Sequence, residues 1–158
     1  MNDFMLDTSA FNKLLDQSFN IDQIRPGLKL FATRIQEDEL RKTPDVARRE
    51  QLVAIFSAFI DNESLMSTET MVWGVGRWGE GKWGASGGHY PALRVRLDEL
   101  EKKKNNVQDA LVAETAILKN LCLVTDDKNL SIVTKEFGGR TLSVKEFVAT
   151  NSEESDGS

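Results

Sequence analysis

Hydrophobic positions along the chain fall into short unbroken runs that alternate with longer stretches of helical spacing. Phe4-Met5-Leu6 is an apolar run ending at Asp7-Thr8-Ser9, after which Phe11, Leu14 and Leu15 recur at helical intervals. A buried strand feeding a helix is expected there. A second strand is expected from Leu28 to Ile35, running into Gln36-Glu37-Asp38-Glu39-Leu40. Thr43-Pro44-Asp45 then announces a helix, with Thr43 as cap, Pro44 at the first helical position and Asp45 near the positive end of the dipole. Its inner stripe reads Val46, Leu52, Val53, Phe56, Phe59 and Ile60, while Arg48, Arg49 and Glu50 face elsewhere.

Asn105-Asn106 precedes a helix expected over Val107 to Asn120, with Ala110, Leu111, Ala113, Ile117 and Leu118 on a wide apolar face. Leu121 to Thr125 follows almost without a loop, and its continuous apolar character suits a parallel strand covered on both faces. Asp126-Asp127 closes it. Gly138-Gly139 ends a further short helix, Arg140 to Val144 reads as one more strand, and Ser143 is placed to cap a last turn through Phe147. Strands alternating with helices predict an α/β fold, an open and mainly parallel central sheet between helical layers.

The 158 residues suit one domain, and 40% hydrophobic with 28% charged residues is ordinary globular usage. Residues 1–149 are read as that domain, with 73–88 as a Gly/Trp-rich loop insertion and 150–158 as an acidic disordered tail. With one cysteine, no leader-like opening and no apolar run near membrane-spanning length, a cytoplasmic protein without a membrane partner is expected. The net charge of −5, taken as a sum, disfavours nucleic acid. Its distribution changes that picture. Glu153, Glu154 and Asp156 lie in the tail, leaving 20 bases against 22 acids, or −2. Setting aside Asp7, Glu39, Asp109, Asp126 and Asp127 as one metal site leaves 20 against 17, or +3. A polyanion is compatible with that remainder.

Sites in open parallel sheets lie outside the carboxyl ends of the strands, so acids immediately after strands carry weight. Asp7 and Asp126-Asp127 are so placed, and Asp109 opens the helix leading into the second of these strands. Taken singly, each of Asp7, Asp109 and Asp127 has a plainer role as a helix cap. Caps have no reason to share one sheet edge, however, and carboxylates gathered there repel unless a cation screens them. Hard oxygen donors select Mg2+ or Mn2+.

Leu6-Asp7-Thr8-Ser9, Thr33 to Leu40, Gln108-Asp109-Ala110-Leu111-Val112-Ala113 and Leu123 to Leu130 resemble, in order and spacing, the motifs of the PIN-domain nucleases. The resemblance runs from about Phe4 to Val148, with Leu65 to Glu101 matching nothing specific. It implies a three-layer α/β/α fold and an acidic quartet of Asp7, Glu39, Asp109 and Asp127. Glu37 or Asp38 replaces Glu39 if the helix phase differs, and Asp126 stands open as a further metal ligand. Thr8, Ser9 and Thr125 match the hydroxyls that hydrogen-bond near the metal. The implied chemistry is hydrolysis of single-stranded RNA by Mg2+ or Mn2+, leaving a 5′-phosphate and a 3′-hydroxyl, with no histidine or cysteine base. Kinship further implies the toxin of a toxin–antitoxin pair, a homodimer, and a partner protein that inhibits by covering the acids.

Trp73 to Gly88 reads WGVGR, WGEGK, WGASGG and holds seven of the 11 glycines and all three tryptophans. Such glycine density opposes a helix, so a loop is expected. Trp78 and Trp83 interleaved with Arg77 and Lys82 are what a single-strand binder uses; the plainer role is to anchor the loop or a dimer contact. Gly74, Gly76 and Gly79 spell a dinucleotide fingerprint but lack the helix that would receive the pyrophosphate. His89 has no second His or Cys nearby, and Cys122 reads as inert core. Glu101-Lys102-Lys103-Lys104 is expected as a solvated helix face, with an RNA track including Arg94 and Arg96 as its alternative. The rival readings are a catalytically silent RNA-binding or scaffolding module and, ranked last, an aspartyl phosphotransferase, since Ser9 stands where its second acid is needed.

Overall fold

Phe4, Met5 and Leu6 are 3%, 0% and 0% exposed, so the first apolar run is covered on both faces. That is the environment of a central parallel strand. The computed structural model describes residues 3–19, 23, 28–60, 65–66 and 89–151. The elements are β1 (Asp3–Leu6), α1 (Thr8–Asp16), β2 (Lys29–Thr33), α2 (Arg34–Arg41), α3 (Val46–Phe59), β3 (Leu65–Met66), α4 (Tyr90–Leu100), α5 (Asn106–Leu118), β4 (Cys122–Val124), α6 (Lys128–Glu136), β5 (Arg140–Leu142) and α7 (Val144–Asn151). The expected Trp-Gly loop, with Arg77, Trp78, Lys82 and Trp83, and tail residues 152–158 lie outside the described residues.

The strands form one five-stranded sheet in the order β3-β2-β1-β4-β5, each neighbouring pair parallel. Register places Met5 between Phe31 and Leu123. Because side chains alternate along a strand, Phe4 and Leu6 join one buried cluster with Phe11 and Leu14 of α1, Leu52, Phe56 and Phe59 of α3, and Phe147 of α7. Met5 and Leu123 face the other way, toward Leu93 and Leu97 of α4, Leu111 of α5, and Leu130 and Val133 of α6. The result is the expected three-layer α/β/α arrangement around a parallel sheet. The chain winds from β1 outward to β2 through α1 and from β4 outward to β5 through α6. Right-handed crossovers in opposite directions put those helices on opposite faces. Each fully buried Leu or Phe contributes roughly 1.5–3 kcal/mol, and Phe147 meets Phe4 edge-on at 5.2 Å.

Several boundaries differ from the sequence reading, each for a local reason. β2 stops at Thr33, not Ile35: Thr33 caps α2 in a capping box with Gln36, which pulls Ile35 into the helix. Asp45 rather than Thr43 caps α3, accepting the Arg48 N–H at 3.0 Å. Val46, assigned to the inner stripe, is 55% exposed. It lies in the first turn, before the stripe meets the sheet. Glu101 to Lys104 is no helix face but the connector between α4 and α5. Arg96 is taken up by Glu136 at 2.8 Å and Glu99 at 3.4 Å, which removes it from the supposed basic track. Ser143 does cap α7, accepting the Glu146 N–H at 3.1 Å. That helix runs on to Asn151, which is buried and donates to the Phe147 carbonyl, so Thr150 and Asn151 belong to the domain rather than to a tail.

Candidate metal centre

The carboxyl ends of β1, β2 and β4 meet at one edge of the sheet, where an open cleft of about 480 Å³ is lined by Asp7, Glu39, Asp109, Asp126 and Asp127 together with Thr8 and Ser9. Thr125 stands just behind it. Asp7 leaves β1 at core depth. Its N–H donates to the Val124 carbonyl at 3.1 Å, one step beyond the strand ladder. The Asp7 Oδ1 accepts the Ala10 N–H and the Ser9 hydroxyl, both at 2.8 Å, and Oδ2 accepts the Thr125 hydroxyl at 2.5 Å. Asp7 therefore caps α1 and faces the cleft at once. Burial raises its pKa to about 6; the bonds from Thr125, Ser9 and Ala10 pull it down, and the charge of Asp127 adds to the rise.

Of the three successive acids of α2, the phase of the helix brings Glu39 to the cleft. Gln36 Nε2 donates to the Leu6 carbonyl at 3.1 Å and ties this helix to the end of β1. One turn later Glu39 enters the cleft and accepts the Thr8 hydroxyl at 2.6 Å, its pKa raised mainly by burial. Glu37 instead pairs with Arg41 at 3.2 Å and Arg34 at 3.9 Å, and neither it nor Asp38 lines the cleft.

Asp109 was the acid most readily explained as a cap, yet α5 has no side-chain cap and, among the described residues, none donates a hydrogen bond to the Asp109 carboxylate. It is pushed up to about 8, first by burial and then by the charges of Asp127, Glu39 and Asp7, with Lys103 opposing. The whole quartet is thus mutually felt at one carboxylate. Asp127 caps α6 through Oδ1, which accepts the Leu130 N–H at 3.1 Å, while Oδ2 lies 3.6 Å from the Lys103 ammonium. Its neighbour Asp126 is turned toward α7, Oδ1 accepting the Val144 N–H at 2.9 Å and Oδ2 lying 3.8 Å from Lys13. Asp126 is absent from the charges that act on Asp109.

Lys13, Asn12 and Asp16 of α1 and Asn105 of the α4–α5 connector also line the cleft and were missed, and Lys103, named only as part of a solvated face or an RNA track, stands in it as well. For α1 a signal existed: Asn12 and Lys13 lie one turn, four residues, beyond Thr8 and Ser9 on the same faces. None existed for Lys103, whose place depends on where α4 ends.

Among the described residues no three His, Cys, Asp or Glu side chains are gathered closely enough to grip an ion as they stand. The chemistry of the donors nonetheless fits a hard divalent cation. They are all oxygens, Asp7 and Asp109 are held above the usual carboxylate range by burial and mutual charge, and a lysine ammonium is already drawn to Asp127.

No family model matches the sequence, and no curated protein matches it. Solved structures do. PAE2754 from Pyrobaculum aerophilum aligns over 94% of this chain and 94% of its own, with a TM-score of 0.58 and 18% identity. VapBC-1 from nontypeable Haemophilus influenzae aligns over 90% of this chain and 98% of its own, with a TM-score of 0.53 and 15% identity. Identities this low carry the fold alone, and the fold is the PIN-like α/β/α architecture that the sequence motifs resemble.

Proposed function

We propose that this chain, with its PIN-like fold, is a metal-dependent endoribonuclease that hydrolyses phosphodiester bonds of single-stranded RNA and acts as the toxin of a toxin–antitoxin pair. The observation that carries the reading is the convergence of Asp7, Glu39, Asp109 and Asp127 on one cleft, where burial first and then the other three charges raise Asp109 to about 8. Asp7, Asp109 and Asp127, with Glu39 beside them, would hold Mg2+ or Mn2+. When bound, such an ion supplies a lowered pKa for the attacking water and neutralises charge on the phosphate. The chain's own groups do the positioning. Thr125 and Ser9 fix the two oxygens of Asp7, and Thr8 fixes Glu39. Such placement is worth a large part of a hydrolytic barrier.

The likeness to VapBC-1, a PIN-domain toxin–antitoxin complex, supports the toxin role. An antitoxin would silence the enzyme by covering the acids, and the enzyme would work as a homodimer in the cytoplasm. Among the described residues no helix is long and apolar enough to cross a membrane.

Cleavage of single-stranded RNA with Mg2+ or Mn2+, compared with EDTA, tests the reading. Asp7→Asn and Asp127→Asn are expected to reduce the rate at least about 100-fold, the scale on which a preorganised charge acts. Undiminished cleavage by either variant refutes the assignment. The spread of the acids favours a second reading, a silent RNA-binding module. Its signature is RNA affinity indifferent to divalent ions together with no cleavage.

A further inference from the structure

The acidic cleft does not end at Asp126 and Asp127. The same two residues form the sill of a second groove of about 330 Å³ on the far side, between α6 and the β5–α7 turn. Lys128, Ser131 and Lys135 of α6 line one wall at intervals of three and four residues, a single stripe of the helix. Thr141 stands opposite, its hydroxyl 2.7 Å from that of Ser131.

Charge in this groove is unevenly committed. Each acid already has donors: Asp126 holds the Val144 N–H and lies near Lys13, Glu146 accepts the Ser143 N–H at 2.9 Å, and Asp127 accepts the Leu130 N–H and faces Lys103. Among the described residues neither lysine is within ion-pair or hydrogen-bond distance of a partner, although the charge of Lys135 is felt at Glu146 across the groove. They are about 10 Å apart along the helix, from its rise of 1.5 Å per residue. Ile132, 37% exposed, adds an apolar surface beside them. Two exposed cations with a pair of hydroxyls between them, opening onto a cleft proposed to cut RNA, suit the phosphates and riboses of a single strand.

We infer that this groove is a second RNA subsite, in which Lys128 and Lys135 take backbone phosphates of the strand leaving the acidic cleft while the Ser131–Thr141 pair faces its riboses. The inference rests on the nuclease reading, since it is the acidic cleft that directs a strand over the sill. A strand crossing carboxylates needs cations at its exit, and these are the cations the fold leaves there.

The test is binding of a fluorescent single-stranded RNA by anisotropy across a salt series, with Ca2+ in place of Mg2+ to screen the acids and RNA integrity checked on a gel. The double variant Lys128→Ala/Lys135→Ala is expected to bind about tenfold more weakly and to lower the slope of log affinity against log salt by about 1.4, two contacts at about 0.7 each for single strands. Lys29→Ala/Lys119→Ala, which removes two lysines from the opposite edge of the sheet, is expected to leave both quantities unchanged. If wild type binds and cleaves RNA but the double variant matches it in affinity and slope, the subsite is overturned and the nuclease reading stands. If wild type neither binds nor cleaves RNA, both fall. An equal loss in the control pair also overturns the subsite, because it reduces the effect to net charge.

Discussion

Asp7 and Asp109 reach raised pKa values by opposite routes. Asp7 receives three hydrogen bonds that favour its charged form and still sits at about 6, because burial outweighs them. Asp109 receives none from the described residues and sits at about 8. Both folded values exceed the ordinary 3.8, so between about pH 4 and pH 8 the folded protein binds protons that the unfolded chain has released. Stability in EDTA must therefore fall as pH rises through that window. From pH 5 to pH 8.5 the loss is expected to be on the order of 2 kcal/mol, discounted from 1.4 kcal/mol per unit for the exposure of the cleft. Asp109→Asn removes the largest raised group and should flatten the profile, being more stable than wild type at pH 8.5. Urea titrations at the two pH values read this directly, and a wild-type profile that rises with pH would contradict it. A cation entering the cleft displaces the Asp109 proton, so Mn2+ binding at pH 7 is expected to release close to one proton, seen as a dependence of calorimetric heat on the buffer's ionisation enthalpy.

At the level of elements, α2 is tied to the end of β1 by one buried side chain. Gln36 is fully buried; its Oε1 accepts the Thr33 N–H at 2.9 Å and meets the Thr33 hydroxyl, while its Nε2 donates to the Leu6 carbonyl. Gln36→Leu keeps the volume but strands a buried donor and a buried acceptor, so a loss of roughly 2–4 kcal/mol in urea denaturation is expected. Because Gln36 also sets where Glu39 points, this variant should lose metal affinity although it alters no carboxylate. This element marks where sequence reading stops. The apolar runs of β1 and β4 and the spacing of α1 and α5 were legible because central strands are uniformly apolar and these helices bury regular stripes. The β2–α2 boundary was misplaced since Ile35 looks strand-like, although Thr33 and Gln36 already spelled a capping box. Glu37, Asp38 and Glu39 could not be told apart, as one residue along a helix turns the side chain by about 100°, and that phase is fixed by tertiary contacts such as the bond from Gln36 to β1. The stripe of Tyr90, Leu93 and Leu97 in α4 went unread beside the glycine-rich stretch. With α4 unplaced, the approach of Lys103 to Asp127 had no basis.

Across the whole molecule, the acids come from the end of β1, from α2, from the start of α5 and from the β4–α6 junction, so the cleft joins the sheet to both helical layers. The charges of Asp7, Glu39 and Asp127 act on Asp109 there and oppose the gathering of four carboxylates. A cation that binds only where all four meet must stabilise the fold by mass action, about 2.7 kcal/mol at a hundredfold excess over its Kd. For a chain of this size that is a rise in Tm of roughly 5–10 °C. Mn2+ is expected to produce it and EDTA to reverse it. The same measurement separates the two adjacent aspartates. Asp127→Asn keeps an Asn capable of capping α6 but removes a charge felt by Asp109, so the Mn2+ shift should largely vanish. Asp126→Asn weakens the hold on the Val144 N–H and lowers the metal-free Tm, yet it should preserve most of the shift, because the Asp126 carboxylate is already committed to α7 and Lys13. If instead Asp126→Asn abolishes the shift and Asp127→Asn retains it, the ligand set is wrong by one residue; if neither variant changes it, the ion that stabilises the protein binds somewhere other than this cleft.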